Sequence, residues 1–112
     1  MDADCLFCKI VAGDIPATIV HDGEQVLAFR DVNPQAPVHV LVIPKQHVSH
    51  VGELGADPDA AATVLAGIRA VAEELQLESY RTVFNTGEES GQTVFHVHAH
   101  VLSGRSFGWP PG

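Results

Sequence analysis

The sequence predicts an α+β fold: a five-stranded antiparallel sheet carrying one long and one short helix. Three observations lead there. Strand-like and helix-like runs do not alternate as βαβ units would. A single stretch, beginning at Asp57, sustains helical periodicity beyond two turns. The remaining apolar segments are short, rich in Val, Ile and Phe, and bounded by Gly, Pro or Asp. A chain of 112 residues is expected to form one domain, 1–112, with a modest core.

Taken in order, Cys5 to Val11 is apolar, ends before Gly13 and reads as one or two helical turns. Ala17 to His21 and Gln25 to Arg30 are strand-like, and the turn signal Asp22-Gly23 between them makes a hairpin. Val38 to Pro44 is the strongest strand, β-branched through most of its length and closed by proline. Asp57 suits a helix N-cap, and Pro58 suits the first helical position, where its missing N–H costs nothing. Val64, Ile68, Val71 and Leu75 then recur at helical spacing, with Leu65 and Ala72 expected to widen the stripe. Tyr80 to Asn85 and Val94 to Leu102 complete the strands, joined by a Gly- and Glu-rich loop. Short edge strands on so small a chain favour pairing with a second copy, so a homodimer is expected.

Composition removes several classes of function. Six basic against 14 acidic residues give a net charge of −8, and the six (Lys9, Arg30, Lys45, Arg69, Arg81, Arg105) are scattered. Nucleic-acid and anionic-membrane binding need clustered Lys and Arg, so neither is expected. No apolar run reaches the roughly 18 residues of a membrane span. Met1-Asp2-Ala3-Asp4 is acidic where a signal peptide is basic, which makes the cytoplasm the expected location.

The chemistry concentrates in Phe95-His96-Val97-His98-Ala99-His100-Val101-Leu102. Alternate residues of a strand share a face, so His96, His98 and His100 should stand together, with Phe95, Val97, Ala99 and Val101 toward the core. Such a cluster is open to three readings. It is a polar sheet face, a metal site presenting several imidazoles, or a nucleophilic centre in which one neutral imidazole attacks while its neighbours donate. Gly91, Gln92 and Thr93, just upstream, can offer backbone N–H groups, an amide and a hydroxyl to an anion. His39, inside the apolar run Val38 to Pro44, is placed to face the same site.

His96-Val-His98-Ala-His100-Val-Leu resembles the His-x-His-x-His-apolar-apolar signature of the histidine triad superfamily. Further segments are similar to its Hint branch, the histidine triad nucleotide-binding proteins. They are Phe29-Arg-Asp31-Val-Asn-Pro-Gln-Ala-Pro, His39-Val-Leu-Val-Ile-Pro-Lys-Gln-His47, Asn85-Thr-Gly with Gly91-Gln92-Thr93, and Gly104-Arg105 through Trp109-Pro-Pro-Gly. The likeness runs from about Cys5 to the last residue.

The resemblance implies a homodimeric hydrolase of nucleoside 5′-phosphoramidates and aminoacyl adenylates. His98 is then the nucleophile at the α-phosphorus, forming a nucleotidyl-histidine intermediate and releasing AMP or GMP. His100 donates to the phosphoryl oxygens, with His39 and His96 supporting the centre. Asn85, Gly91, Gln92 and Thr93 fall at the phosphate, Thr93 standing where serine is common. Asp31 matches the carboxylate on the ribose hydroxyls, although its sequence setting equally fits a turn. Leu6, Phe7, Ile10, Phe29 and Val32 match the apolar slot for a purine base, and such a slot implies loose choice between adenine and guanine. Trp109 would lie near the leaving group across the dimer. No cofactor is needed for this catalysis.

Cys5-Leu6-Phe7-Cys8 has zinc-type spacing but supplies only half a tetrahedral site. The resemblance implies structural zinc on Cys5, Cys8, His47 and His96, with His50 as a spare ligand. Two buried thiols, or a redox pair, remain open readings of the same residues. A zinc hydrolase using His96, His98 and His100, and a nucleotide-binding interaction module with little turnover, are the competing readings of function.

Overall fold

The computed structural model describes residues 4–112, so most of the acidic start lies outside the described residues. The elements are α1 (Leu6–Val11), β1 (Ile19–Asp22), β2 (Val26–Arg30), β3 (Val38–Pro44), α2 (Val51–Leu54), α3 (Pro58–Glu74), β4 (Arg81–Val83) and β5 (Ala99–Ser103). The five strands form one antiparallel sheet in the order β1-β2-β3-β5-β4.

Both faces of this sheet are covered, which is why β2 and β3 read as unbroken apolar runs rather than alternating ones. Val26 and Ala28 of β2, Val40 and Val42 of β3, and Ala99 and Val101 of β5 pack with Val64, Ile68 and Val71 of α3. Leu27, Phe29, Leu41 and Ile43 turn to the opposite face, where α1 brings Cys5, Phe7 and Cys8. Each fully buried Val or Ile on α3 contributes about 1.5–3 kcal/mol. Helix α3 approaches the sheet closely at Gly67, where a Cβ would lie 2.6 Å from Val26 Cγ2 and 2.8 Å from Val42 Cγ1. Asp57 caps this helix, its carboxylate accepting from the Ala60 N–H at 3.1 Å.

Three expectations are corrected. Leu65 does not join the buried stripe but is 62 % exposed, because α3 turns only one face to the sheet. A second short helix, α2, follows His50, so the long helix has two short companions rather than one. The last strand begins at Ala99, not Val94: the chain through His96 and His98 is irregular, and the Val97 N–H donates to the Val48 carbonyl outside the strand ladder. Phe95 therefore lies 52 % exposed instead of packing beside Val97.

Candidate active site and metal centre

Strand register places the first two imidazoles. Leu41 of β3 pairs with His100 of β5, and His39 pairs with Leu102, so His39 and His100 are diagonal neighbours on the α1 face. His39 Nε2 and His100 Nδ1 are 2.9 Å apart. His98 reaches the same face from the irregular segment, its ring 5.0 Å from that of His100 and 5.1 Å from that of Phe7. The shared face that alternation predicts for all three triad histidines is thus only partly formed. His96 lies beyond, fully buried, with its ring 5.0 Å from His47.

Fixed backbone partners set the tautomers. His98 Nδ1–H donates to the His96 carbonyl at 2.8 Å, which leaves Nε2 unprotonated. His39 Nδ1 accepts the Gln35 backbone N–H at 3.0 Å, so the proton sits on Nε2 and is donated to His100 Nδ1. His100 in turn carries its proton on Nε2. The cleft therefore holds one imidazole with a free lone pair and, beside it, one that can donate.

Burial reinforces these neutral states by penalising charge. It lowers His98 below the ordinary histidine range, against the upward pull of the His96 carbonyl and of Asp31. It pushes His100 down to about 4, assisted by the neighbouring His98 and His39 rings and opposed by Asp31. His39 is lowered for the same reason, again with Asp31 opposing.

A cleft of about 330 Å³ opens beside these imidazoles. Its walls include Leu6, Phe7, Ile10, Phe29, Asp31, Val32 and Thr93 from the sequence-derived set, with His98 and His100. Ile15, Pro16, Ala17, Arg30, Leu41 and Val94 also line it, and their short apolar runs carry no signal that separates a wall from core. Val32 is 99 % exposed and stands at the rim. Asp31 serves its turn as well as the cleft: Oδ1 accepts the Asn33 N–H at 2.8 Å, while Oδ2 lies 3.4 Å from His39 Nε2.

The loop before the triad differs from expectation. The Gly91 N–H donates to Glu88 O and the Gln92 N–H to Gly87 O, each at 3.0 Å, so neither is offered to an anion in this conformation. The Gln92 amide, 1 % exposed, accepts from the Gly87 N–H and donates to the carbonyls of Ser49 and Val94. A tight turn with Gly87 and Gly91 at positive φ consumes these groups internally. Of the three, Thr93 lines the cleft. Asn85 lies beside Gly91, and neither lines the cleft in this chain; Trp109 is 84 % exposed and does not line it either.

The second centre is assembled from the N-terminus of α1 and the segments around His47 and His96. Cys5 Sγ, Cys8 Sγ, one nitrogen of His47 and one of His96 all lie within 4.8 Å of one another. His96 Nδ1 is 3.3 Å from Cys5 Sγ, and His47 Nδ1 is 3.4 Å from Cys8 Sγ. These separations suit the edges of a tetrahedron with about 2.0–2.3 Å ligand bonds. His96 Nε2–H donates to the Pro44 carbonyl at 2.8 Å, directing the Nδ1 lone pair at the cysteines, as a ligating imidazole requires. The donor set fits zinc. His50 is outside this cluster, its Nε2 lying 3.8 Å from Glu53.

With one nitrogen committed to Pro44 and the other facing the cysteines, His96 cannot share an ion with His98 and His100. The zinc-hydrolase reading built on those three is thereby corrected. Asp31, His39 and His100 form the other compact group among the described residues. There, however, the Gln35 N–H keeps the His39 proton on Nε2, the atom that a metal would need bare.

A buried imidazole with one nitrogen pinned and the other open, next to a donating partner and an apolar cleft, has the parts that nucleophilic attack by a neutral imidazole requires. A family model described as the HIT domain matches residues 12–107. An uncharacterized HIT-like protein of Synechococcus elongatus is 51 % identical over 114 aligned positions, covering 100 % of both chains. A 14 kDa zinc-binding protein of Zea mays is 43 % identical, with 99 % of this chain and 90 % of that protein covered. Among solved structures, a HIT family hydrolase from Legionella pneumophila superposes with a TM-score of 0.89 at 46 % identity, covering 97 % of this chain and 100 % of that one. A histidine triad nucleotide-binding protein from Candida albicans gives a TM-score of 0.83 at 30 % identity, covering 96 % and 83 %. The chain belongs to the HIT domain family.

Proposed function

We propose that this protein, as one HIT domain spanning 1–112, hydrolyses nucleoside 5′-phosphoramidates and aminoacyl adenylates through a covalent intermediate on His98. The observation that carries the reading is the pinned His98 tautomer, Nδ1–H on the His96 carbonyl with Nε2 open toward the cleft. His98 Nε2 attacks the α-phosphorus. In a phosphoramidate the P–N bond breaks with its electron pair leaving on nitrogen, which takes up a proton from solvent; in an aminoacyl adenylate the P–O bond breaks with its pair leaving on the carboxylate. The resulting imidazolium keeps its Nδ1–H bond to His96. Water then adds to phosphorus, His98 Nε2 leaves with its lone pair, and one proton returns to solvent with release of AMP or GMP.

His100 Nε2–H donates to a phosphoryl oxygen, oriented through His39. Removing one such preorganised donor costs about 3 kcal/mol in the barrier. Asp31 accepts from the ribose hydroxyls, and Leu6, Phe7, Ile10, Phe29 and Val32 hold the purine. Asn85, Gly91 and Thr93 approach the phosphate once nucleotide is bound. Trp109 contacts the leaving group from the second copy of a homodimer.

Zinc on Cys5, Cys8, His47 and His96 acts as a structural cross-link between α1 and the segment that carries the triad. No step at phosphorus passes through it. The Zea mays relative's zinc-binding name and the four-donor cluster support this part. Among the described residues no helix is long and apolar enough to cross a membrane, in keeping with work in the cytoplasm.

The test is release of AMP from adenosine 5′-phosphoramidate by the wild type beside His98→Ala. Turnover by the wild type with a loss of at least a thousandfold in the variant is expected. AMP binding without turnover in either protein would overturn the hydrolase and leave a binding module. Turnover retained by the variant would require another nucleophile.

A further inference from the structure

The tautomers of His39 and His100 rest on the backbone N–H of Gln35, which belongs to an exposed turn between two prolines, with Asp31 Oδ2 3.4 Å from His39 Nε2. No strand ladder holds that residue. Its carbonyl is instead gripped by Arg105, whose Nε and Nη2 donate to Gln35 O at 3.2 and 3.1 Å. Arg105 has two further contacts of its own. Its guanidinium stacks 4.3 Å from the centre of the Phe107 ring, and its Nη1 donates to Ser106 O. Phe107 is flanked by a second guanidinium, that of Arg81, which donates to Gly108 O at 2.9 Å. The approach is close because Gly104 adopts a φ of +98°, where a Cβ would meet Pro37 Cβ at 2.8 Å.

We propose that Arg105 is a positioning residue for the reaction: by holding the Gln35 carbonyl it aims the Gln35 N–H at His39 and so sets the proton positions of His39 and His100. The path runs from Arg105 to Gln35 O, across that residue to its N–H, on to His39 Nδ1, then from His39 Nε2–H to His100 Nδ1. Only one end of this path touches substrate, and Arg105 stands at the other. A Gln35 backbone released from Arg105 lets its N–H leave His39 Nδ1, so that His39 carries its proton on Nδ1, and the hydrogen bond to His100 then reverses. His100 Nε2 becomes an acceptor facing the electron-rich phosphoryl oxygens. A bidentate guanidinium holds a carbonyl in one direction, whereas an ammonium of the same charge supplies a single swivelling contact.

The importance of His100 as a donor rests on the hydrolase reading, whereas the proton positions do not, and the test separates them. Long-range ¹H–¹⁵N spectra of the full chain report which ring nitrogen of each histidine is protonated. In the wild type His39 and His100 should both be Nε2-protonated. In Arg105→Ala their two ring nitrogens should shift toward tautomeric averages, with Arg105→Lys between the two. The kcat for adenosine 5′-phosphoramidate should fall roughly three- to tenfold in Arg105→Ala, the scale of one lost hydrogen bond, with KM changed less than twofold. A residue that merely stabilised the fold would lower the unfolding midpoint and leave the tautomers alone. Wild-type ring nitrogens in Arg105→Ala would overturn the proposal whatever the rate. If that variant does not fold, wild-type nitrogens in Arg105→Lys together with an unchanged kcat overturn it equally. A wild type with no turnover would remove the hydrolase reading while the spectra still decide the role of Arg105.

Discussion

His96 turns its carbonyl to the His98 ring and its own ring to the cysteines: the main-chain oxygen accepts the His98 Nδ1 proton at 2.8 Å, while ring Nδ1 lies 3.3 Å from Cys5 Sγ. One residue thus joins the two centres, and whatever fixes the His96 ring also fixes the acceptor that sets the His98 tautomer. Elemental analysis of the purified protein should find one zinc per chain, lost in Cys8→Ala. Where free zinc stands about a thousandfold above Kd, metal contributes about 4 kcal/mol of stability. Chelation should lower the unfolding midpoint accordingly and reduce kcat. A metal-free protein with unchanged midpoint and kcat would uncouple the two centres.

Acid tolerance is the second expected property. Burial holds His100 to about 4 against an ordinary 6.5, with His98 and His39 lowered in the same direction. His100 therefore stays neutral where a free imidazole would be mostly protonated, and burial favours the neutral form of His98 in the same direction. Between pH 7.5 and 5.5, kcat/KM corrected for spontaneous hydrolysis should fall by less than the roughly tenfold that an unshifted imidazole would lose. Stability behaves oppositely. From about pH 6.5 down to about 4 the unfolded chain binds protons that the folded chain refuses, so stability falls as the pH is lowered through that window. Urea midpoints measured at pH 7 and pH 5 check the sign.

Gln92 separates structural from substrate roles. Its amide makes three hydrogen bonds, two within the loop and one to the Ser49 carbonyl outside it, and Gln92→Ala strands the Gly87 N–H and the carbonyls of Ser49 and Val94. The expected cost is about 2–4 kcal/mol in stability. KM for the phosphoramidate should stay within about twofold wherever the variant remains folded, because the amide is spent on internal partners and does not line the cleft. A rise in KM with undiminished stability would restore the substrate-binding reading of this residue.

The contact between helix and sheet offers a fourth test. Gly67→Ala sets a methyl group within 2.6 Å of Val26 Cγ2 and 2.8 Å of Val42 Cγ1. Overpacking of this kind costs about 1–3 kcal/mol, larger than the gain in helix propensity of under about 1 kcal/mol. The denaturation midpoint should fall while KM holds, since the α3 side of the sheet lies opposite the cleft.

Legibility in the sequence followed the range of the forces involved. Val38 to Pro44 was readable to the residue because β-branched composition and a closing proline act locally. Asp57-Pro58 marked the start of α3 for the same reason. The triad's chemistry was readable from spacing, but its backbone was not. A run that alternates like a strand leaves the ladder at His96 and His98 because His98 must reach back to the carbonyl two residues earlier, and the Val97 N–H goes to Val48. The Cys-x-x-Cys pair was visible as half a site; joining it to His47 and His96 required either the family resemblance or the fold. Nothing in the spacing of Gln35 or Arg105 marks them, because each acts through a main-chain group that every residue type carries.

Covalent catalysis by His98 is tested most directly by mass spectrometry of the protein mixed with adenosine 5′-phosphoramidate and quenched without acid, wild type beside His98→Ala. A transient adduct of one nucleotide, mapped to His98 in the wild type and absent from the variant, is the predicted result. Steady AMP release by a wild type that carries no adduct at any time, with His98→Ala releasing it equally, would contradict it.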